Sequence, residues 1–252
     1  GGQVGDRGTL TDAAGNRLDI VDCKRENNLP VHIARELPAD VRATFTAAID
    51  EQARQAVSCN HTATHLLHAA LRQVLGTHVE QKGSLVDAKS LRFDFSHFKK
   101  VTPEELRRVE HLANAMVRAA TPREEHRDMP IDEARRMGAT ALFGEKYGDT
   151  VRVIKYDSSV ELCGGTHVAN TGQIGMIRIV SESSIAAGVR RIEAITGEQV
   201  ENTLDVLQDT LGEIKSLLGN APDALTALRK SLDDNAALRH QAEEFVRERI
   251  AM

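Results

Sequence analysis

The sequence predicts an α+β fold, and three changes of residue pattern predict it. Residues 1–50 read as short apolar runs between turn signals, the pattern of a small β module. From Glu51 the apolar period becomes helical, and strands and helices then mix rather than alternate strictly, which favours α+β over a parallel α/β sheet. After Gly197 the leucines fall into a heptad seam. These changes divide the 252 residues into a β module (1–50), a mixed domain (51–197) and a helical hairpin or coiled-coil-like arm (198–252).

In the first region GDRG, AAGN and ENNLP are turns, and RLDIVDCK, VHIARE and VRATFTAAI are the strands between them. Glu51 to Leu75 is a helix with Val57, Leu67, Ala70, Leu71 and Val74 on its apolar face and Gly76 as its stop, unless Asn60 caps a second helix within it. In SLRFDFSHF, Leu91, Phe93 and Phe95 alternate with Arg92 and Asp94, a half-buried strand. Thr102-Pro103-Glu104-Glu105 is a capping box that opens a helix reaching about Ala120. IDEARRMG is a shorter helix ended by Gly138, and TVRVIKY, IGMIRIV and VRRIEAIT are strands. Val200, Leu204, Leu207, Leu211, Ile214 and Leu218 form the seam of one helix. Gly219-Asn220-Ala221-Pro222 breaks it, and Leu225, Leu228, Leu232, Leu238, Ala242 and Phe245 mark a second. Two helices packed on the body are the alternative to an arm.

Composition bounds the function. The chain has 32 basic and 37 acidic residues, a net charge of −5. The tail from Glu198 holds 11 acidic and 6 basic residues, so residues 1–197 are neutral with 26 of each sign. A neutral domain can still carry a local basic face, for which Lys99-Lys100, Arg107-Arg108 and Arg190-Arg191 are candidates. No apolar run approaches the ~18 residues of a membrane span. Three cysteines, Cys23, Cys59 and Cys163, do not make a disulfide framework and suit a reducing, cytoplasmic setting. The start GGQVGD carries no initiator Met or signal pattern, and the end RERIAM reads as mid-helix, so a fragment of a longer protein is expected.

Chemistry concentrates in two short motifs. NHTATHLLH places His61 and His65 four apart, on one helix face. ELCGGTH places Cys163 and His167 four apart around Gly164-Gly165, where the backbone can turn tightly. Together they offer three nitrogens and a sulfur, a tetrahedral set suited to Zn²⁺ and poor for Mg²⁺ or Ca²⁺. A site of His61, His65 and His68 on the helix alone is the rival, and it leaves Cys163 and His167 idle. The other histidines have no partner at ligand spacing, and Cys59 is a buried or spare thiol. A zinc peptidase would carry Glu directly after the first histidine, where Thr62 stands. Among other motifs, G-x-S-x-G, the P-loop and C-x-x-C are absent, and GGQVGDRG lacks dinucleotide spacing.

The segments NHTATHLLHAALRQVLGTHVEQKGSLV, LRFDFSH, LFGEKYG, ELCGGTH and SESSIAAGVRRIEAITG together resemble the editing region of the alanyl-tRNA synthetases (alanine–tRNA ligases). GGQVGD resembles the Gly-rich stretch of the β-barrel that precedes that region. The resemblance covers residues 1–197 in order, and the tail resembles the start of the segment that follows. It implies an N-terminal β-barrel module, an editing domain and no aminoacylation domain in this chain, so that the ATP-dependent attachment of alanine belongs to the longer parent.

The family's editing domain hydrolyses tRNA(Ala) wrongly charged with serine or glycine. The resemblance implies that His61, His65, Cys163 and His167 bind one zinc ion and that Thr64 and Gln81 line the amino-acid pocket. It also places Arg190 and Arg191 near the tRNA, where guanidinium suits phosphate. A missing methyl discriminates by only about 1–3 kcal/mol, so a second pocket with polar partners for a serine hydroxyl can spare alanine. Backbone N–H groups of Gly164 and Gly165 are candidates for an oxyanion site. Four protein ligands suit a structural metal whereas catalysis keeps a position open, so three forms are expected. In one His167 yields its place, in another the coordination expands, and in the third zinc only orients the ester. The alternatives are a structural zinc module that binds tRNA without catalysis and a freestanding trans-editing deacylase. Homodimerisation through the C-terminal helices and salt-sensitive tRNA affinity are further expectations.

Overall fold

The computed structural model describes residues 2–27, 29–141 and 147–250. The chain divides into two compact units, with the boundary between Val200 and Glu201. Among the described residues the first is a mixed α/β body with three antiparallel sheets, and the second is helical. Residues 142–146 of the LFGEKYG motif lie outside the described residues.

The N-terminal strands are β1 (Gly8–Asp12), β2 (Arg17–Glu26), β3 (Leu29–Ala34) and β4 (Phe45–Ile49), ordered β3-β2-β1-β4. The sequence places strands at β2 and β3, but β1 lies partly within the segment read as a turn. The third predicted strand is shorter than VRATFTAAI because Asp40 caps a turn, its carboxylate accepting from Arg42 N–H at 2.8 Å. Asp12 closes the β1–β2 turn by accepting from the backbone of Ala14 and Asn16, with Gly15 at φ +86°.

Helix α1 (Glu51–Leu75) is the centre of the first unit. Asp50 caps it by accepting from Ala53 N–H at 2.9 Å, and Gly76 closes it at φ +120°. It is one helix, not two. Asn60 does not cap a break, because its side chain is committed to distant partners: its amide donates to Asp87 O and its oxygen accepts from Thr196. Nearly every residue from Val57 to Leu71 is buried, polar ones included, because other elements surround the helix rather than flank one face.

Strands β5 (Gln81–Val86) and β6 (Leu91–Ser96) follow, then helix α2 (Pro103–Arg118), whose Thr102–Glu105 capping box forms as predicted. A small sheet of β7 (Glu124–Pro130), β8 (Thr150–Tyr156) and β9 (Ser159–Leu162) carries helix α3 (Ile131–Arg136), ended near Gly138 at φ +78°. β10 (Ile177–Ala186) and β11 (Val189–Thr196) complete the main sheet in the order β10-β11-β6-β5. IGMIRIV begins as a 3-10 turn (Thr171–Ile174), so its strand starts only at Ile177.

Phe93 and Phe95 of β6 and Leu66, Leu67 and Leu71 of α1 are fully buried in the main core. Asp94, predicted on the open face, is also buried because Arg191 reaches across from β11 to pair with it. β10 is an edge strand, and the outward backbone groups at its start are not left to water. Asn114 of α2 donates to Ile177 O at 2.8 Å and accepts from Ile177 N–H at 2.9 Å, and Glu110 accepts from Ile179 N–H. A smaller core of Met129, Ala134, Val151, Val153 and Leu162 supports the β7–β9 sheet.

In the second unit, α4 (Glu198–Leu217) begins in the body and α5 (Ala224–Ile250) follows the break, with Gly219 and Asn220 at positive φ. Of the predicted seam residues Val200 is buried and Leu218 half-buried, whereas those from Leu204 to Ile214 and from Leu225 to Phe245 are exposed, Leu207 at 60% and Leu232 at 62%. No helix among the described residues is long and apolar enough to cross a membrane.

Candidate metal centre

Helix α1 presents His61 and His65 from adjacent turns. The loop after β9 brings Cys163 and His167 against them from about 100 residues away. Among the described residues these four form a group that can hold a metal ion, with their ligand atoms within 4.8 Å of one another. Cys163 Sγ lies 3.4 Å from His61 Nε2 and 3.3 Å from His167 Nε2. The rings of His61 and His65 each centre 4.4 Å from that of His167.

The loop is held by cations aimed at its carbonyls. Arg152 of β8 donates to Cys163 O at 2.9 Å and Gly165 O at 2.7 Å, and Arg123 donates to His167 O at 2.7 Å. Glu125 of β7 accepts from Arg152 at 2.9 Å and so orients that clamp. Two arginines thus satisfy carbonyls that the tight 163–167 turn cannot pair with itself.

The electrostatics suit a thiolate. Burial opposes ionisation of Cys163, but the imidazoles of His167, His61 and His65 gathered around the sulfur outweigh it and hold the thiol at about 2. Gly165 N–H also points at the sulfur, 3.4 Å away. Burial, with the charge of His65, depresses His167 to about 3 against the pull of Cys163, which keeps it an unprotonated donor. Burial also acts against protonation of His65, but Glu161 and Cys163 raise it overall.

Each ring nitrogen away from the centre has an orienting partner, the arrangement that metal-binding histidines require. His167 Nδ1 lies 3.1 Å from Thr62 Oγ1, which also accepts from Val168 N–H at 3.2 Å. Tyr156 lies beside Thr62 and donates to Val168 O. His65 Nε2 is 3.5 Å from Glu161 Oε2, whose other oxygen is 3.0 Å from His68 Nδ1. His65 Nδ1 is then buried with no hydrogen-bond partner among the described residues. An orphaned buried nitrogen beside a thiolate and two imidazoles fits a metal, and the N₃S donor set is compatible with zinc. His68 is turned away to Glu161, so the three-histidine alternative is not the arrangement observed.

A cavity of about 690 Å³ opens onto this group, and Thr64 and Gln81 line it with His61, His65 and Cys163. Thr64 Oγ1 donates to Asn60 O at 2.9 Å, and Gln81, on strand β5 rather than in a loop, donates to Ser84 Oγ at 3.1 Å. The two glycines differ. A Cβ on Gly165 would lie 2.1 Å from His61 Cε1, so the close approach demands glycine there, whereas one on Gly164 would meet nothing within 4 Å. Gly165 N–H is taken by Cys163, while Gly164 N–H has no acceptor among the described residues.

Arg190 and Arg191 sit elsewhere on β11, and the alternation of a strand turns them to opposite faces. Arg190 pairs with Glu182 at 2.5 Å and Arg191 with both oxygens of Asp94, at 2.6 and 2.9 Å. A second cleft, of about 800 Å³, is also lined by the Gly164–His167 loop and holds Arg54, Arg123, Arg127 and Arg152.

Sequence reasoning missed Gln3, Thr62, Glu161 and Arg152. Only Thr62 carried a signal, standing where a peptidase base would be.

The model of the threonyl and alanyl tRNA synthetase second additional domain matches residues 151–193, the stretch that contains Cys163 and His167. The particular relatives are alanine–tRNA ligases. The chain is 60% identical to that of Bacteroides fragilis (strain YCH46) over 251 residues, covering 100% of this chain and 29% of the relative. It is 57% identical to that of Bacteroides thetaiotaomicron over 251 residues, covering 100% of this chain and 29% of the relative. It is 56% identical to that of Porphyromonas gingivalis over 250 residues, covering 99% of this chain and 28% of the relative. The resemblance to alanine–tRNA ligases therefore extends along the whole chain, which spans about 29% of the length of the relatives it matches.

Proposed function

We propose that the chain is the editing segment of an alanine–tRNA ligase, hydrolysing the ester of Ser-tRNA(Ala) and Gly-tRNA(Ala) in the cavity beside the His₃Cys group. The observation that carries the proposal is the convergence of His61, His65, Cys163 and His167 on a cavity that Thr64 and Gln81 also line. In this reading residues 1–50 are a β-barrel module, residues 51–197 the editing domain and residues 198–252 an arm through which two copies pair. The longer parent attaches alanine to tRNA(Ala) with ATP in the cytoplasm.

His61 Nε2, His65 Nδ1, Cys163 Sγ and His167 Nε2 would hold the metal. A bound zinc ion supplies a Lewis acid for the ester carbonyl or its attacking water. The chain's own residues supply the selection of serine over alanine. Thr64 uses its hydrogen on Asn60 O, so its oxygen accepts the one hydrogen of a serine hydroxyl, and the second amide hydrogen of Gln81, whose first is on Ser84 Oγ, donates to that hydroxyl's oxygen. Alanine offers no hydroxyl and leaves these groups unpaired, at about 1–3 kcal/mol each. Gly164 N–H is open to a developing oxyanion, whereas Gly165 N–H serves Cys163.

The tRNA end would approach through the arginine cleft. There Glu125 pairs with Arg123, Arg127 and Arg152 together, and Glu51 is the other acid among the lining residues, so positive charge is left over for phosphate. Arg190 and Arg191 remain in the proposal as residues whose charge RNA must share with Glu182 and Asp94.

A second reading, a structural zinc module that binds tRNA without catalysis, is favoured by the four-ligand set itself. Release of serine from Ser-tRNA(Ala), compared between native chain and Cys163→Ala, separates the two. A folded, zinc-loaded native chain that releases none leaves only the module.

A further inference from the structure

The N-terminal strap Gly2–Gln3–Val4 is stitched onto the end of β5. Val4 N–H donates to Val86 O at 3.0 Å and Val86 N–H to Gly2 O at 2.8 Å. Gly2 lies so close to Ser84 that a Cβ there would stand 1.8 Å from Ser84 O. This backbone pairing delivers the Gln3 side chain to the centre, where its Oε1 meets three groups. They are His61 Nδ1 at 2.6 Å, Thr166 N–H at 2.9 Å and the Thr166 hydroxyl at 3.2 Å.

One of these groups fixes the other assignments. A backbone N–H can only donate, so the Gln3 atom facing Thr166 N is the amide oxygen and not the amide nitrogen. An amide oxygen can only accept, so His61 Nδ1 carries the hydrogen. In a neutral imidazole the lone pair then sits on Nε2. Nε2 is the atom 3.4 Å from Cys163 Sγ.

We propose that Gln3 is a positioning residue that locks His61 in its Nδ1–H tautomer and so selects Nε2 as the metal ligand. The same oxygen ties the ligand loop, through Thr166, to the helix ligand, so one side chain from the N-terminal module gauges the gap between the two halves of the site. The inference rests on the metal reading above and adds a residue outside the His₃Cys group, 58 positions before the ligand it orients.

The experiment has two arms. Long-range ¹H–¹⁵N spectra of the imidazoles are recorded for the native chain with and without zinc. The expected pattern is hydrogen on Nδ1 in both and metal on Nε2, and metallation at Nδ1 overturns the proposal. Zinc affinity is then measured by chelator competition for Gln3→Leu, which removes the acceptor, and Gln3→Glu, which keeps it. Gln3→Leu is expected to bind about 10–100-fold more weakly, the usual effect of losing such a partner, and Gln3→Glu to stay close to native. Native affinity in Gln3→Leu, or equal losses in both variants, overturns the proposal. If the native chain takes up no zinc, the metal reading fails, while the zinc-free spectrum still decides whether Gln3 fixes the tautomer.

Discussion

Two adjacent glycines make a sharp test of how tightly the metal ligands are packed. A methyl at Gly165 would stand 2.1 Å from His61 Cε1, 2.3 Å from His61 Nδ1 and 2.7 Å from Gln3 Oε1. Ordinary contact begins near 3.4 Å, so the imidazole must retreat by about 1.3 Å (3.4 less 2.1). Metal–ligand distances hold to about 0.2 Å, so a displacement of that size removes His61 from the donor set. Loss of an orienting partner alone costs about 10–100-fold in affinity, and loss of the ligand should reach at least the upper end, about 2.8 kcal/mol. Gly165 has no positive φ, so steric overlap and not backbone strain carries the effect. Gly164→Ala is the matched control, since its methyl meets nothing. Zinc affinity by chelator competition should fall about 100-fold for Gly165→Ala and stay near native for Gly164→Ala. Equal affinities for the two variants would refute the packing argument.

Thr62→Val should weaken zinc binding about 10-fold by removing the partner of His167. It should also destabilise the metal-free chain by about 1–3 kcal/mol, because Val168 N–H is left buried and unpaired, and urea denaturation checks this. Leu66→Ala, at a fully buried position on α1, should cost about 2–5 kcal/mol in the same assay. Affinity for tRNA should fall with salt, with a log–log slope of about 0.7 per single-strand phosphate contact. Arg127→Glu should flatten that slope more than Arg191→Gln does, since Arg127 is exposed whereas Arg191 is spent on Asp94. An unchanged slope for Arg127→Glu removes the arginine cleft as the tRNA path.

What could be read from the sequence was what is local. His61 with His65, and Cys163 with His167, each declare themselves by spacing, and helix α1 with its Gly76 stop follows from periodicity. The partners that orient the ligands were illegible because they are local to nothing: Gln3 lies 58, Thr62 105 and Glu161 96 positions (161 less 65) from the ligand histidines they touch. Asn60 reads as a cap for the same reason, its true partners Asp87 and Thr196 being brought in only by the fold. Arg190-Arg191 is different. The strand was predicted, and its two-residue period already separates adjacent side chains to opposite faces, so that clue was present in the sequence. The turn signal before β1 hid a strand because pairing with β2 and β4, not local propensity, extends it.

The central claim is that the His₃Cys cavity hydrolyses a mischarged tRNA ester. It is tested most directly by the rate of serine release from Ser-tRNA(Ala), with Ala-tRNA(Ala) and Cys163→Ala in parallel. The account predicts release that is selective for serine and lost in Cys163→Ala. Equal release of serine and alanine, or full activity in Cys163→Ala, would contradict it.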